Sequence, residues 1–456
     1  VDGPLHEADA YVKAPAAATA SWRNYLFGSL GAGGRAVFAL DVTDSSAMNA
    51  STVRWELSSA DDSDLGYVFS PIKVGVLPNG RWVALFGNGY SSTSGNATLF
   101  VVDIEDASST NAVVRAGAIA KLTLDSSGGN GLGGVTVVPD IATGRTNNIY
   151  VGDLKGKFWK LTYDNTAPSK FVVDGGAAMF AATDSGGVAQ PITSSPVVYN
   201  HSLGGRMVVF GTGKLFSTSD ATDTSTQSVY AVWDKNPDSI THPLSRSNLV
   251  SRTLTVFAGS GSASGTDFIS STGAAMDPTT QRGWYMDLSP SITGGRVIYP
   301  SQVLSYNTAL VSSVAPVQGT PQACDTASGT GLNLLLPVES GTNPTSRTLD
   351  TNGDGIANGS DLLSIGYKTA ADGVDAVVSS QGAGGGNRLT DVGGGGPEGD
   401  CTGAKCSKVS SCVPSPLCPE KGSCLSSVQS ATRGMTICLK GASSRLWRRI
   451  INPPIH

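Results

Sequence analysis

One pattern recurs along this chain and restricts its fold more than any other feature. An apolar strand runs into a glycine, and a second strand then ends on or just before an acidic residue. The glycine-terminated strands are Tyr25–Gly28, Val83–Gly87, Ile149–Gly152 and Val208–Gly211. Their partners are Val37–Asp41, Leu99–Asp103, Lys157–Leu161 with Asp164 beyond it, and Val229–Asp234. Ser70–Gly75, Gly134–Val138 and Ser195–Tyr199 supply inner strands, and Tyr299–Val303, Ala309–Ser312 and Leu332–Leu336 form a more divergent further copy. About three to four short strands per unit, repeating every roughly 60 to 100 residues, is the pattern of β-propeller blades with loop insertions. The apolar runs are near-continuous, as strands covered on both faces require. Two β-sandwiches would explain the strands but not the repeated order of strand, glycine, strand and acid.

Composition agrees with an all-β reading. The chain has 456 residues, 57 of them glycine, with 39% hydrophobic and only 15% charged. That is enough apolar material for a core, so disorder is not the default, and the Gly, Ser, Thr and Val bias favours short strands joined by turns. A net charge of −5 argues against a nucleic-acid partner, because phosphate binding needs a positive field. No long apolar run suggests a membrane span. The chain opens Val1-Asp2-Gly3, with neither an initiator Met nor a signal segment, and reads as a processed or truncated piece of something longer.

The segment Asp350–Asp361 reads as a calcium loop. Side-chain oxygens fall at loop positions 1, 3, 5, 9 and 12, on Asp350, Asn352, Asp354, Asn358 and Asp361. Gly355 sits where the loop must turn sharply, and Ile356 can offer its carbonyl. The usual last ligand is Glu; here it is the shorter Asp361. The alternative is an Asp/Asn/Gly-rich turn without metal, and the spacing favours the metal. Loops of this kind usually pair, whereas this one is single, so Ca2+ here is expected as a structural clip inside a larger fold.

Beyond Ser380 the texture changes. Residues 382–399 hold two glycine runs, typical of a connector. Six of the seven cysteines then follow: Cys401, Cys406, Cys412, Cys418, Cys424 and Cys438. With no histidine among them, disulfides are favoured over zinc, and Cys324 is left over. Dense disulfides together with calcium point outside the cytoplasm. The last residues read as a hairpin, Met435–Leu439 and Arg445–Ile451 around a turn at Gly441–Ser444. Arg445, Trp447 and Arg448 in its second strand are either a partner-docking surface or the solvated face of a strand that closes the last blade.

Catalytic signatures are missing. The four histidines, His6, His201, His242 and His456, are isolated from one another, and no Gly-x-Ser-x-Gly elbow occurs. The glycine-rich Gly31–Arg35 precedes a strand, whereas phosphate cradles precede a helix. Quinone-cofactor dehydrogenases also combine propellers, tryptophan and calcium, but they carry an adjacent cysteine pair that this sequence lacks. The Trp residues in the repeats, such as Trp55 and Trp159, are better read as packing.

Several stretches make the chain similar to the C-terminal propeller of the type IV pilus tip-adhesin family (PilC/PilY-like). These are Leu30–Thr43, Ile149–Lys160, Gly283–Leu288, the calcium loop and Arg445–Arg448, in family order. Two departures stand out. Asp140–Asn147 lacks the oxygen spacing of a calcium loop that family members often carry there, and the cysteine cluster matches no family feature. The resemblance implies a modified seven-bladed, quinoprotein-like propeller with loop insertions and a Cys-rich insertion near the C-terminus. Expected boundaries are 1–395 for the propeller, 396–429 for the connector and disulfide-rich insertion, and 430–456 for the terminal hairpin. It implies a non-enzymatic protein at the pilus tip, secreted through the periplasm to the cell surface. Its expected work is pilus assembly, extension and retraction, and surface adhesion, with minor pilins and a host or abiotic surface ligand as partners. The alternatives are a propeller enzyme of quinoprotein dehydrogenase type and a carbohydrate-binding propeller unrelated to pili.

Overall fold

The structure is a computed structural model that describes residues 3–15, 17–107, 114, 116–315, 329–371, 377–380, 423–430 and 433–440. The described residues form two compact units. No helix among them is long and apolar enough to cross a membrane.

The first unit comprises residues 1–198 with 238–246. It holds three antiparallel sheets that follow one another in sequence. The first is ordered Leu5–Val12, Ser21–Ser29, Ala36–Asp41, Val53–Ser58. The second is Lys73–Val76, Trp82–Gly87, Ala97–Asp103, Ile119–Asp125. The third is Thr136–Pro139, Thr146–Gly152, Lys157–Tyr163, Phe171–Val173, with Phe180–Ala181 added on the third strand. Neighbour-to-neighbour order with short turns is how a blade is made. Apolar residues join consecutive sheets: Tyr25, Phe27 and Trp55 of the first share one core with Phe86 and Phe100 of the second. Leu85, Leu99 and Val101 share another with Ile149, Val151 and Leu161.

The repeated glycine is explained by close approach. A Cβ on Gly87 would come within 2.3 Å of the Gly133 carbonyl oxygen, and one on Gly152 within 2.2 Å of Ile192. Only a residue without a side chain lets the two backbones or layers meet there. A second regularity lies one position later. The residues after the four glycines are Ser29, Asn88, Asp153 and Thr212, all polar and all fully buried. Ser29 donates its hydroxyl to the Val68 carbonyl, and Thr212 bonds Ser228 at the start of the next strand of its sheet. Asn88 donates to the carbonyls of Asp64 and Asn96 and accepts from the N–H groups of Thr98 and Leu132. Asp153 accepts from the main chain of Lys155 and Lys157 at 2.9 Å, from the Trp159 indole at 3.0 Å and from Asn130 at 3.2 Å. Burial pushes the Asp153 carboxyl up from its ordinary value, and these donors pull it back.

The acidic strand ends are also paired. Asp41 accepts from Arg23 and Arg54, and Asp103 accepts from Arg81 at 2.5 Å.

The second unit comprises residues 199–237 and the chain from 247 onward as far as the described residues extend. Its ten-stranded sheet contains two blade-like runs. One consists of Val197–Asn200, Arg206–Gly211, Ser228–Asp234 and Gly283–Asp287. The other consists of Gln302–Ser305, Thr308–Ala315, Gly329–Pro337 and Gly366–Ala371. The hairpin Val250–Ala258 with Asp267–Thr272 joins them. Its first strand pairs parallel to Gly283–Asp287, and its second pairs antiparallel to Gly366–Ala371. That hairpin occupies the insertion between Asp234 and Gly283. The repeat pattern does not reveal it, because its first strand opens with alternating buried and exposed residues instead of running apolar. A separate three-stranded sheet is formed by Val377–Ser380, Ser423–Ser430 and Arg433–Lys440.

Three buried arginines fasten loops of this unit by donating to main-chain carbonyls. Arg296 donates to the carbonyls of Gly294, Lys214, Asp220 and Asp223. Arg252 donates to Ser340 and Ala274, and Arg282 to Pro278 and Gln281. Burial lowers the guanidinium pKa of Arg252 and Arg296, yet both stay charged at any physiological pH.

Candidate metal loop

The segment Asp350–Asp361 lies in the second unit, between the strands Gly329–Pro337 and Gly366–Ala371. It is built into the sheet's connections instead of projecting from them. The Ser260 N–H donates to the Thr351 carbonyl at 3.0 Å. Gly353 lies so close to the 3-10 turn Gly261–Ala263 that a Cβ there would come within 2.3 Å of the Ala263 nitrogen. The turn residue Gly355 has φ of +88°, which an L side chain resists.

Every expected ligand residue is in the loop, and its oxygens serve the main chain. The two Asp350 oxygens accept from the N–H groups of Gly353 at 2.6 Å and Gly355 at 2.7 Å. Asn352 caps Asp354, Asp354 caps Ile356, and Asn358 caps Ser360, each through the N–H two residues on at 2.8–2.9 Å. These are Asx turns in series, the local geometry that Asp and Asn offer a tight loop. Asp361 is 2% exposed. It draws the loop ends together, accepting from Thr351 at 2.7 Å, Asn352 at 3.2 Å and Asn358 at 2.8 Å. Sequence reasoning missed Thr351, whose hydroxyl donates to Asp361 and accepts from Leu362. Position 2 of such a loop carries no ligand, so nothing in the spacing singled it out.

By chemistry the donor set fits a hard cation, since all side chains concerned offer oxygen and calcium takes oxygen ligands. A carboxylate oxygen that accepts one N–H keeps a lone pair for a metal. In arrangement the carboxylates do not converge. Among the described residues no group of three or more His, Cys, Asp or Glu side chains is placed to hold a metal ion.

Other expected sites are dispersed or lie outside the described residues. Cys324, Cys401, Cys406, Cys412 and Cys418 lie outside them, as do Arg445, Trp447 and Arg448. Cys424 and Cys438 lie on paired strands, where the register opposes Cys424 to Leu439 and Cys438 to Leu425, so the two are not opposite one another. His201 is buried, stacked on Trp233 with ring centroids 4.0 Å apart. Burial holds its imidazole below the ordinary value, against the pull of nearby Glu339. His242 bonds the Met179 carbonyl at 2.9 Å. Trp55, Trp233 and Trp284 are fully buried and Trp159 nearly so, as packing requires.

A model of the PilY1 beta-propeller domain matches residues 7–266, more than half of the chain. The type IV pilus biogenesis factor PilY1 of Pseudomonas aeruginosa strain PAO1 is 34% identical over 352 residues, covering 69% of this chain and 29% of that protein. The PilY1 homolog of Xylella fastidiosa is 31% identical over 325 residues, covering 66% of this chain and 21% of that protein. The match therefore spans less than a third of either relative. The crystal structure of the Pseudomonas aeruginosa PilY1 C-terminal domain superposes with a TM-score of 0.71 at 25% identity, covering 96% of this chain and 83% of that one. Strand order, repeat and comparison agree, and the chain belongs to the PilY1 β-propeller family.

Proposed function

We propose that this propeller acts in type IV pilus biogenesis, as a non-catalytic part of the machinery that assembles and retracts the fibre. The family match across residues 7–266 carries this reading, because the relatives it groups with are named as pilus biogenesis factors. The site of action is the extracellular pilus tip, where minor pilins would be the protein partners and a host or abiotic surface the adhesive target. The cysteine-dense segment supports it, because disulfides persist in the oxidising outside of a cell. In this reading the six clustered cysteines form disulfides, and Arg445, Trp447 and Arg448 present a docking strand.

Calcium is part of the same proposal. Asp350, Asn352, Asp354, Asn358 and Asp361, with the Ile356 carbonyl, would hold Ca2+ in the loop between two strands of the ten-stranded sheet. The ion would neutralise the loop carboxylates Asp350, Asp354 and Asp361 and stiffen the connection, with no chemical step routed through it.

The pilus reading has a direct genetic test. In-frame removal of the residues 7–315 coding region from a producing strain should abolish surface pili and twitching, and restoring it in trans should return both. Normal pilus numbers and twitching in the deletion strain, with the rest of the protein still secreted, would refute the reading.

A further inference from the structure

The first unit carries an aromatic surface that neither the family match nor the calcium loop accounts for. Tyr11 and Trp22 are opposed across the first two strands, and their rings meet edge-to-face with centroids 5.5 Å apart. Trp22 meets Trp82, at the start of the second sheet, in the same way at 5.6 Å. Trp22 is 40% exposed, and Tyr11 and Trp82 are partly exposed. An edge-to-face contact covers a face of only one of its two rings, whereas a parallel stack such as Phe86 on Phe100, with rings inclined by 4°, covers a face of each. The polar handles are open too. Among the described residues nothing bonds the indole N–H of Trp22 or of Trp82, or the Tyr11 hydroxyl. Buried Trp and Tyr usually find a partner for these groups, as Trp159, Trp233 and Trp284 do here, although the buried Trp55 indole does not.

Polar groups border the platform. Glu105 accepts from the Lys13 N–H at 3.0 Å and lies 3.8 Å from the guanidinium of Arg81, the residue preceding Trp82. Arg81 bonds Asp103 and Asp106. Asp9 lies two positions before Tyr11 on the same exposed side of its strand. The immediate rim thus holds four carboxylates against one guanidinium and Lys13.

We infer that Tyr11, Trp22 and Trp82 form a binding site for neutral pyranose sugars. The apolar face of a pyranose ring stacks on an indole, and its hydroxyls pair with carboxylates and a guanidinium in fixed positions. The excess of carboxylate excludes uronic and sialic acids through like-charge repulsion. A sequence-only alternative, a carbohydrate-binding propeller, is here joined to the family fold, with the site located. The inference gives a ligand class to the adhesive half of the proposed function and rests on that half alone. It can be measured on the isolated chain whether or not the chain acts in pilus assembly.

The test is titration of the purified 456-residue chain with neutral oligosaccharides of glucose, galactose, mannose and N-acetylglucosamine, and with acidic oligouronates, followed by tryptophan fluorescence. At least one neutral series should saturate the signal and the uronates should not. Trp22→Ala should weaken that binding at least tenfold, and Trp22→Phe should restore part of it, with melting temperatures near wild type in both. The proposal fails if no neutral sugar binds, if uronates bind as well, or if Trp22→Ala leaves the affinity unchanged. A strain carrying Trp22→Ala should keep its pili; sugar binding without pilus loss on deletion would leave this site standing and remove only the assembly reading.

Discussion

Arg296→Met is expected to destabilise the second unit by about 3–5 kcal/mol, read as a lower denaturant midpoint with an unchanged slope. The guanidinium is 1% exposed and donates to carbonyls at both ends of the loop from Lys214 to Asp223. Methionine keeps much of the volume but removes every donor, so buried carbonyls lose their partners at about 1–3 kcal/mol for each one stranded. Part of that loss is offset because a charge no longer has to be buried. Lys214→Met provides the contrast. Lys214 pairs with Asp220 at 3.2 Å with its side chain 38% exposed, so its loss should change stability by less than about 1 kcal/mol. Equal midpoints for the two variants would mean that the buried arginine does not hold the loop.

Asp153→Leu should cost the first unit about as much, roughly 3–5 kcal/mol. The substitution strands the Trp159 indole, the Asn130 amide and two main-chain N–H groups, all of which donate to this carboxylate. Asp153→Asn should fall between the two, because one amide oxygen can still accept but its NH2 faces donors. Thermal melts of the three proteins would show the order wild type, Asn, Leu; a leucine variant as stable as wild type would contradict it. Because the residue lies deep between strand and turn, the loss should appear as global unfolding and not as local fraying.

Both predictions concern residues whose importance was only half legible in the sequence. The repeated strand-glycine order gave away the blades, since period and apolar runs depend on local chemistry alone. The glycines of Gly87 and Gly152 stood out, but their reason, a carbonyl at 2.3 Å and an isoleucine at 2.2 Å, belongs to the neighbouring layer. The buried polar residue after each glycine was hidden because its identity varies among Ser, Asn, Asp and Thr while its role stays the same. Nothing in the sequence singles out Arg252 and Arg296, because most of their carbonyl partners are far away along the chain. The metal loop was visible as a spacing, and the spacing does produce a compact loop. What spacing could not foresee is that Asp361 would be buried and turned back on the loop's own N–H groups. The aromatic platform escaped because Tyr11, Trp22 and Trp82 come from different strands, with no periodicity linking them.

Calorimetric titration of the purified chain with Ca2+ tests the loop most directly. The account predicts one saturable site in the wild type. It predicts none in Asp350→Ala/Asp354→Ala, which removes two carboxylates but leaves Asp361 to close the loop. At free calcium about 100-fold above the dissociation constant, the wild type should gain roughly 2.7 kcal/mol of stability that a chelator removes and the variant never shows. Equal calcium binding by the two proteins, or no binding by the wild type, would contradict the assignment of Ca2+ to Asp350–Asp361.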